Sequence, residues 1–303
     1  MIRAALERVW WACVKSGVWP VGKGELKVRL IFGPAMLALV GLIFWVDHEA
    51  MIAKAGVLSA IVLGLLAVAA VREYVGMMRG AGHPVSSVLL TSLTVGLCGC
   101  APWLSWQTLD RELYPLAAAT MILLYSTVLR SLSRDRVRHG LEEQGATLLG
   151  FIMIVWPLYL AQGMAMMYLP ALLYVIAICK GGDIGGYMFG IAFGRHKLIP
   201  HVSAGKTIEG SVGSMLVSCV LAVLLAGPLL PETIQLGWAS LIGIGILLNV
   251  LTQTGDLAES LLKRRCGVKD SSRLLPAHGG ILDLIDSLLF SFPAFFLMLV
   301  LVT

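Results

Sequence analysis

Charge is what this sequence has least of. Asp, Glu, Lys and Arg make up 14% of its 303 residues, against about 25% in a soluble domain. With 58% hydrophobic residues and a mean hydropathy of +0.85, that shortage excludes an ordinary soluble fold. It predicts an all-α polytopic membrane protein. The six cysteines form no CxxC pair, which removes the usual zinc and thiol-redox spacings and leaves them as packing residues. No internal repeat and no low-complexity tail is visible. The N-terminal stretch lacks an apolar core followed by a small-residue cleavage site. Residues 1–29, basic and carrying Trp10, Trp11 and Trp19, therefore read as a retained amphipathic segment at the headgroup level. The formal net charge of +5 bears on orientation and anionic lipid, not on nucleic acid.

Uncharged runs near the length needed to cross about 30 Å of hydrocarbon fall at roughly 30–46, 55–71, 86–106 and 113–129. The run 146–179 is too long for one helix and is divided at Gln162-Gly163 into 146–161 and 166–182. Three more follow at about 211–230, 236–255 and 284–303, giving about nine transmembrane helices. Of the 23 Lys and Arg residues, only Lys54 and Arg111 fall in one set of alternate connections. The positive-inside rule then predicts a cytoplasmic N-terminus, a C-terminus on the opposite side, and both motif-bearing loops in the cytoplasm. The expected organisation is 1–29 interfacial, 30–179 transmembrane without site motifs, and 180–303 catalytic.

Charge is concentrated instead of spread. Residues 255–287 hold Asp256, Glu259, Asp270, Asp283 and Asp286 with Lys263, Arg264, Arg265, Lys269, Arg273 and His278. Such density between apolar runs requires pairing, water or bound ions. Asn249, Thr252, Gln253 and Thr254 precede Asp256, so that helix becomes polar at one end, which a lipid-facing helix should not do. Asp283 and Asp286 are three apart and share a face at a helix start, where negative charge is favoured. Carboxylates without a Cys or His cage suit Mg²⁺ or another hard divalent cation; ion pairing with the neighbouring cations is the structural alternative. Pro276-Ala277-His278-Gly279-Gly280 reads as a turn whose amides could cradle a phosphate. Upstream, Gly182, Gly186, Gly190 and Gly194 form one helical face. Close helix packing explains it, as does approach of a lipid headgroup, and it leaves a helix–helix homodimer open. Asp183 lies among these glycines, and Lys206, Thr207 and Glu209 follow Ser203 and Gly205 in a compact turn. SAGKT is not a P-loop, because Pro200 stands where the first glycine is needed.

The segment Ser260-x-Leu262-Lys263-Arg264-x4-Lys269-Asp270-x-Ser272-x2-Leu275-Pro276-x-His278-Gly279-Gly280-Ile281-x-Asp283-x-Ile285-Asp286 resembles the signature of phosphatidate cytidylyltransferases, the CDP-diacylglycerol synthases. Asp183-x-Gly185-x-Tyr187 and Ser203-x-Gly205-Lys206-Thr207-x-Glu209-Gly210 resemble a second patch of that family. One place departs: the family usually has Arg between the two last acids, and here it is Leu284. That leaves room for a weaker enzyme, an altered substrate or a divergent member.

The resemblance implies transfer of a cytidylyl group from CTP to phosphatidic acid, giving CDP-diacylglycerol and pyrophosphate, in a bacterial inner membrane or an organelle membrane. It implies Asp256 and Asp283 as metal ligands, with Asp286 and Asp183 close by. Lys206, Lys263, Arg264 and Lys269 would hold phosphates, and His278 would donate to a phosphate oxygen. Ser203, Thr207, Glu209, Asp270, Gly279 and Gly280 complete the implied substrate site. Two rivals are a CTP-dependent polyprenol- or dolichol-type lipid kinase, which releases CDP, and a non-catalytic lipid transporter with charge along its pathway.

Overall fold

The computed structural model describes residues 41–42, 44–47, 56–104, 109–131, 140–231, 234, 236–272, 274–275 and 279–302. The expected interfacial segment 1–29, most of the span at 30–46, and His278 lie outside the described residues. Nine helices are described from Val57 onward. They are α1 (Val57–Gly80), α2 (Ser87–Cys100), α3 (Leu109–Ser131), α4 (Gly140–Gly150), α5 (Trp156–Phe193), α6 (Ile208–Leu229), α7 (Trp238–Arg265), α8 (Ile281–Leu289) and α9 (Ser291–Val302). A π-helical stretch, Phe151–Val155, joins α4 to α5. Five helical runs are long and apolar enough to cross a membrane: Val57–Gly80, Gly140–Phe193, Ile208–Leu229, Trp238–Arg265 and Ile281–Leu301. Leu65, Val88, Leu224 and other large apolar side chains stand on the outer surface, where a membrane protein meets lipid. The architecture is that of an all-α membrane protein with one addition that composition did not announce. Lys197–Ile199 (β1) and Ser203–Thr207 (β2) pair antiparallel between α5 and α6.

The long run 140–193 is broken, but not where expected. Residue Tyr168 is extended, with φ −158° and ψ 94°. Pro170 follows two residues later; it lacks an N–H and disfavours helix just before itself. Gln162, the expected breakpoint, is fully buried inside continuous helix. Its Nε2 donates to the carbonyls of Ala60 at 2.7 Å and Cys98 at 2.9 Å. It thus ties α5 to α1 and α2 instead of marking a loop.

The inner part of the glycine face of α5 packs on α6. A Cβ on Gly182 would lie 2.4 Å from Ser218 Oγ, and one on Gly186 would lie 3.1 Å from Ser214 Cβ. Gly186 and Gly190 stay half-buried, and Gly194 is exposed. Small residues let the backbones close and polar ones bridge them. Asn249 on α7 donates to Ser214 Oγ at 2.6 Å and Ser218 Oγ at 3.0 Å on α6, and accepts from Gln253 Nε2 at 2.6 Å. Ser211 Oγ donates to Gln253 Oε1 at 2.6 Å. The polar end of α7 thus faces its neighbours.

The division at 179–180 falls within the helical part of α5 that follows Tyr168, and α1 packs directly on α8, so the two stretches share one core. That core runs from Leu63, Ala67 and Tyr74 on α1 through Leu172 and Tyr174 on α5 to Phe292 and Phe296 on α9. On α7, a Cβ at Gly245 would lie 2.7 Å from the Cys219 Cα of α6. Gly245→Leu should therefore force the α6 and α7 backbones apart and cost about 1–3 kcal/mol, seen as a lower midpoint of thermal unfolding in detergent.

Candidate active site

The acids converge where α7 and α8 come closest. Gly255 on α7 permits this, since a Cβ there would stand 2.7 Å from the Asp286 carbonyl oxygen of α8. Asp256 follows directly, and its Oδ2 is paired with Lys206 Nζ of β2 at 2.5 Å. Asp183 enters from α5, with Lys180 Nζ 3.5 Å from its Oδ2. Asp286 is buried, and the Ser287 N–H donates to its Oδ1 at 2.5 Å. The charges of Asp183, Asp256 and Asp286 act on one another, and Lys180 and Lys206 act against them. Three acids from three helices and two cations thus form one cluster. It stays open to solvent at Asp183 and Asp256, whose side chains are 39% and 30% exposed.

Asp283 belongs to a second, drier network. Its Oδ1 accepts from Lys263 Nζ at 2.5 Å. Its Oδ2 accepts from the Ser271 N–H at 2.8 Å, Ser271 Oγ at 2.7 Å and the Gly280 N–H at 2.8 Å. Lys263 also pairs with Glu259. Four donors already serve Asp283, so a metal ligated there would have to compete with Lys263 and Ser271. Among the described residues, no three Asp, Glu, His or Cys side chains form a group that could hold a metal unaided.

A carboxylate from the far end of the chain completes this network. Glu73 of α1 accepts the N–H groups of Ile281 at 3.0 Å and Leu282 at 2.8 Å. It also accepts Ser272 Oγ at 2.7 Å and Ser271 Oγ at 3.0 Å. Two of the unpaired amides at the start of α8 are thereby satisfied by a remote acid. Gly280 must be glycine, because a Cβ would lie 2.3 Å from Glu73 Oε2 and 2.1 Å from Ser271 Oγ. Gly279 has φ +85°, which only glycine adopts without strain.

The other expected contacts divide between scaffold and surface. Thr207 caps α6 by accepting the Gly210 N–H at 3.1 Å. Glu209 clamps the base of the β hairpin: it accepts the Arg195 N–H at 3.1 Å and the His196 N–H at 3.2 Å, and meets His196 Nδ1 at 2.7 Å. Ser203 pairs with Ile199 across the hairpin. Arg264 donates to the Val268 carbonyl at 3.0 Å, closing the end of α7. Lys269 and Asp270 are exposed in the connection to α8.

A model of the cytidylyltransferase family matches residues 27–302, nearly the whole chain. The chain belongs to the cytidylyltransferase family. It is 43% identical over 129 residues to a phosphatidate cytidylyltransferase of Staphylococcus aureus, covering 43% of this chain and 48% of that protein. Against the phosphatidate cytidylyltransferase of Staphylococcus saprophyticus it is 36% identical over 202 residues, covering 65% of this chain and 72% of that protein. It is also 44% identical over 126 residues to the uncharacterised protein YnbB of Escherichia coli, covering 41% of this chain and 40% of that one. In the S. aureus and E. coli alignments the chain spans less than half the length of the relative.

For this cytidylyltransferase family member, sequence reasoning missed Glu73, Lys180 and Ser271 as parts of the site. Glu73 stands beside Arg72 toward the end of a mainly apolar helix, where ionisable groups need a partner, but the sequence does not show which partner it meets. Replacing Glu73 by Ala should leave the two α8 amides and the Ser272 hydroxyl without their acceptor, Ser271 keeping Asp283, and cost about 1.5–3 kcal/mol. Thermal unfolding in detergent and faster proteolysis between Ser271 and Gly280 would register the loss.

Proposed function

We propose that this protein transfers a cytidylyl group from CTP to phosphatidic acid at the cytoplasmic membrane face, releasing pyrophosphate. One observation carries the reading: two partly open acid–cation pairs, Lys206–Asp256 and Lys180–Asp183, stand at the end of α7 and on α5, and Lys180 also reaches Ser287, the neighbour of Asp286 on α8. The family match and the names of the two staphylococcal relatives support the same reading.

In the proposed reaction a phosphate oxygen of phosphatidate attacks the α-phosphorus of CTP. The bond from that phosphorus to the α–β bridging oxygen breaks, and pyrophosphate leaves with the electron pair. The nucleophile is already anionic near neutral pH, so a strong general base is unnecessary. The obstacle is the approach of two polyanions, and catalysis is chiefly positioning and charge neutralisation. The donor set of Asp256, Asp286 and Asp183 is all oxygen, which fits Mg²⁺ or another hard cation bound through one or two carboxylates and substrate phosphates. Such an ion would neutralise the triphosphate and the departing pyrophosphate. Lys206 can exchange its pairing with Asp256 for a phosphate oxygen when the nucleotide enters. Lys263 and Asp283 fix the start of α8 and so the depth of Asp286.

The proposal includes about nine spans with a cytoplasmic N-terminus, because Lys54 and Arg111 alone among the cations oppose that orientation. The test is incubation of purified protein with labelled CTP, phosphatidate and Mg²⁺, followed by identification of both products. CDP-diacylglycerol and pyrophosphate are expected; release of CDP would instead indicate a kinase. Asp256→Asn should lower turnover by about a hundredfold or more with an unchanged unfolding midpoint. Chelation with EDTA should stop transfer, and added Mg²⁺ should restore it. Near-normal turnover of Asp256→Asn, or transfer in EDTA, would contradict the assignment.

A further inference from the structure

Lys180 sits between the α5 acid and the α8 acid. Its Nζ donates to the Leu284 carbonyl at 2.8 Å and to Ser287 Oγ at 2.7 Å, and lies 3.5 Å from Asp183 Oδ2. Two of the three N–H donors of this ammonium are thus engaged on α8, and its charge stands beside Asp183 on α5. Leu284 and Ser287 flank Asp286 on α8, while Asp183 lies three residues along α5 from Lys180 itself. One cation therefore sets the separation of two helices that each deliver a carboxylate to the cluster.

Its position also bears on the departure at Leu284. That residue cannot supply a charge, and its side chain packs against the apolar core. The ammonium of Lys180 stands against the same residue's carbonyl. Lys206 is paired with Asp256 on α7, whereas Lys180 is the cation that reaches α8 as well as Asp183.

We propose that Lys180 is a positioning residue of the transfer site, supplying from α5 the positive charge that Leu284 does not supply from α8. The inference rests on the cytidylyl-transfer reading. Without Lys180, Asp183 and Asp286 repel each other unopposed, and α8 loses its tie to α5. The acids then hold a divalent cation in a looser and more negative setting, which disfavours the approach of a triphosphate.

The experiment uses the full chain in detergent micelles containing phosphatidate, with CTP and Mg²⁺ varied separately. Wild-type protein is measured first; if it makes no CDP-diacylglycerol, the reading of the function fails and this inference fails with it. Given wild-type transfer, Lys180→Met should lower kcat by about tenfold or more, with a smaller change in KM for CTP. The half-saturating Mg²⁺ concentration should also move. Lys180→Arg should retain most of the activity. Leu284→Arg, placed in the Lys180→Met background, should raise kcat by roughly fivefold, a larger gain than it gives in the wild-type background. Thermal unfolding of each variant without metal separates misfolding from loss of charge. Should Lys180→Met not fold, Lys180→Gln keeps hydrogen-bond donors without the charge, and the same rescue is read there. The inference is overturned if Lys180→Met or Lys180→Gln turns over at the wild-type rate. It is equally overturned if Leu284→Arg gives no larger gain in those backgrounds than in wild type.

Discussion

A single buried ammonium holds the functional end of the molecule together. Lys263 is shared by Glu259, one turn before it on α7, and by Asp283 in the first turn of α8. Its side chain is 10% exposed, and those of Glu259 and Asp283 are 2% and 9% exposed. Taking three charges out of water is costly, and removing one member of such a set strands the others, a loss of about 3–5 kcal/mol in comparable buried pairs. The arrangement is tolerable because Asp283 is further neutralised by two backbone amides and a serine hydroxyl. Glu259 is less well served, since its Oε1 finds no hydrogen-bond donor. Lys263 thus ties α8 to α7, the two helices that carry Asp286 and Asp256.

Glu73 extends the same logic across the chain. The first turn of a helix exposes unpaired amides and the positive end of its dipole. In α8 those amides meet a carboxylate from α1. The helix that carries Asp286 is thereby held from two sides, by Lys263 on α7 and by Glu73 on α1. The tie also holds Ser271 and Ser272. This explains why a stretch without recognisable motifs is inseparable from the motif-bearing half.

Much of this was legible in the sequence, for identifiable reasons. Helices and their approximate limits follow from hydropathy, because lipid demands internally satisfied backbone. The breakpoint in the long run was misplaced because Gln162-Gly163 looks like a polar interruption, whereas the determinant is Pro170, which leaves Tyr168 extended. A buried glutamine satisfied by two carbonyls cannot be told from a loop glutamine without its partners. The sequence placed Asp256 and Asp283 together, with Asp286 and Asp183 close by, from charge at helix ends. The separate grouping of Asp283 was not legible. Asp283 and Asp286 share a helical face, but the third residue of a helix can fold its carboxylate back over the preceding amides, and Asp283 does so toward Gly280. Periodicity specifies a direction from the axis; it does not reveal which donors wait there. Glu73 and Lys180 depend on partners about 200 and 100 residues away, a separation for which one sequence carries no signal.

The two charge networks differ in wetness, and that difference assigns their tasks. A carboxylate enclosed by four donors keeps its place but has little capacity left for a ligand. Asp256 is met only by Lys206 and, at 3.4 Å, by Ser260 Oγ, and the Lys206–Asp256 pair is 24% and 30% exposed. Such a pair can open at small cost, because water and an incoming phosphate replace what each partner loses. Lys206 lies on a hairpin whose base is clamped by Glu209 and whose end is capped into α6 by Thr207. Its backbone is therefore fixed while its ammonium can exchange partners. Under the proposed reaction, the dry, saturated network would preserve the geometry and the wet, exchangeable one would accept the polyanion.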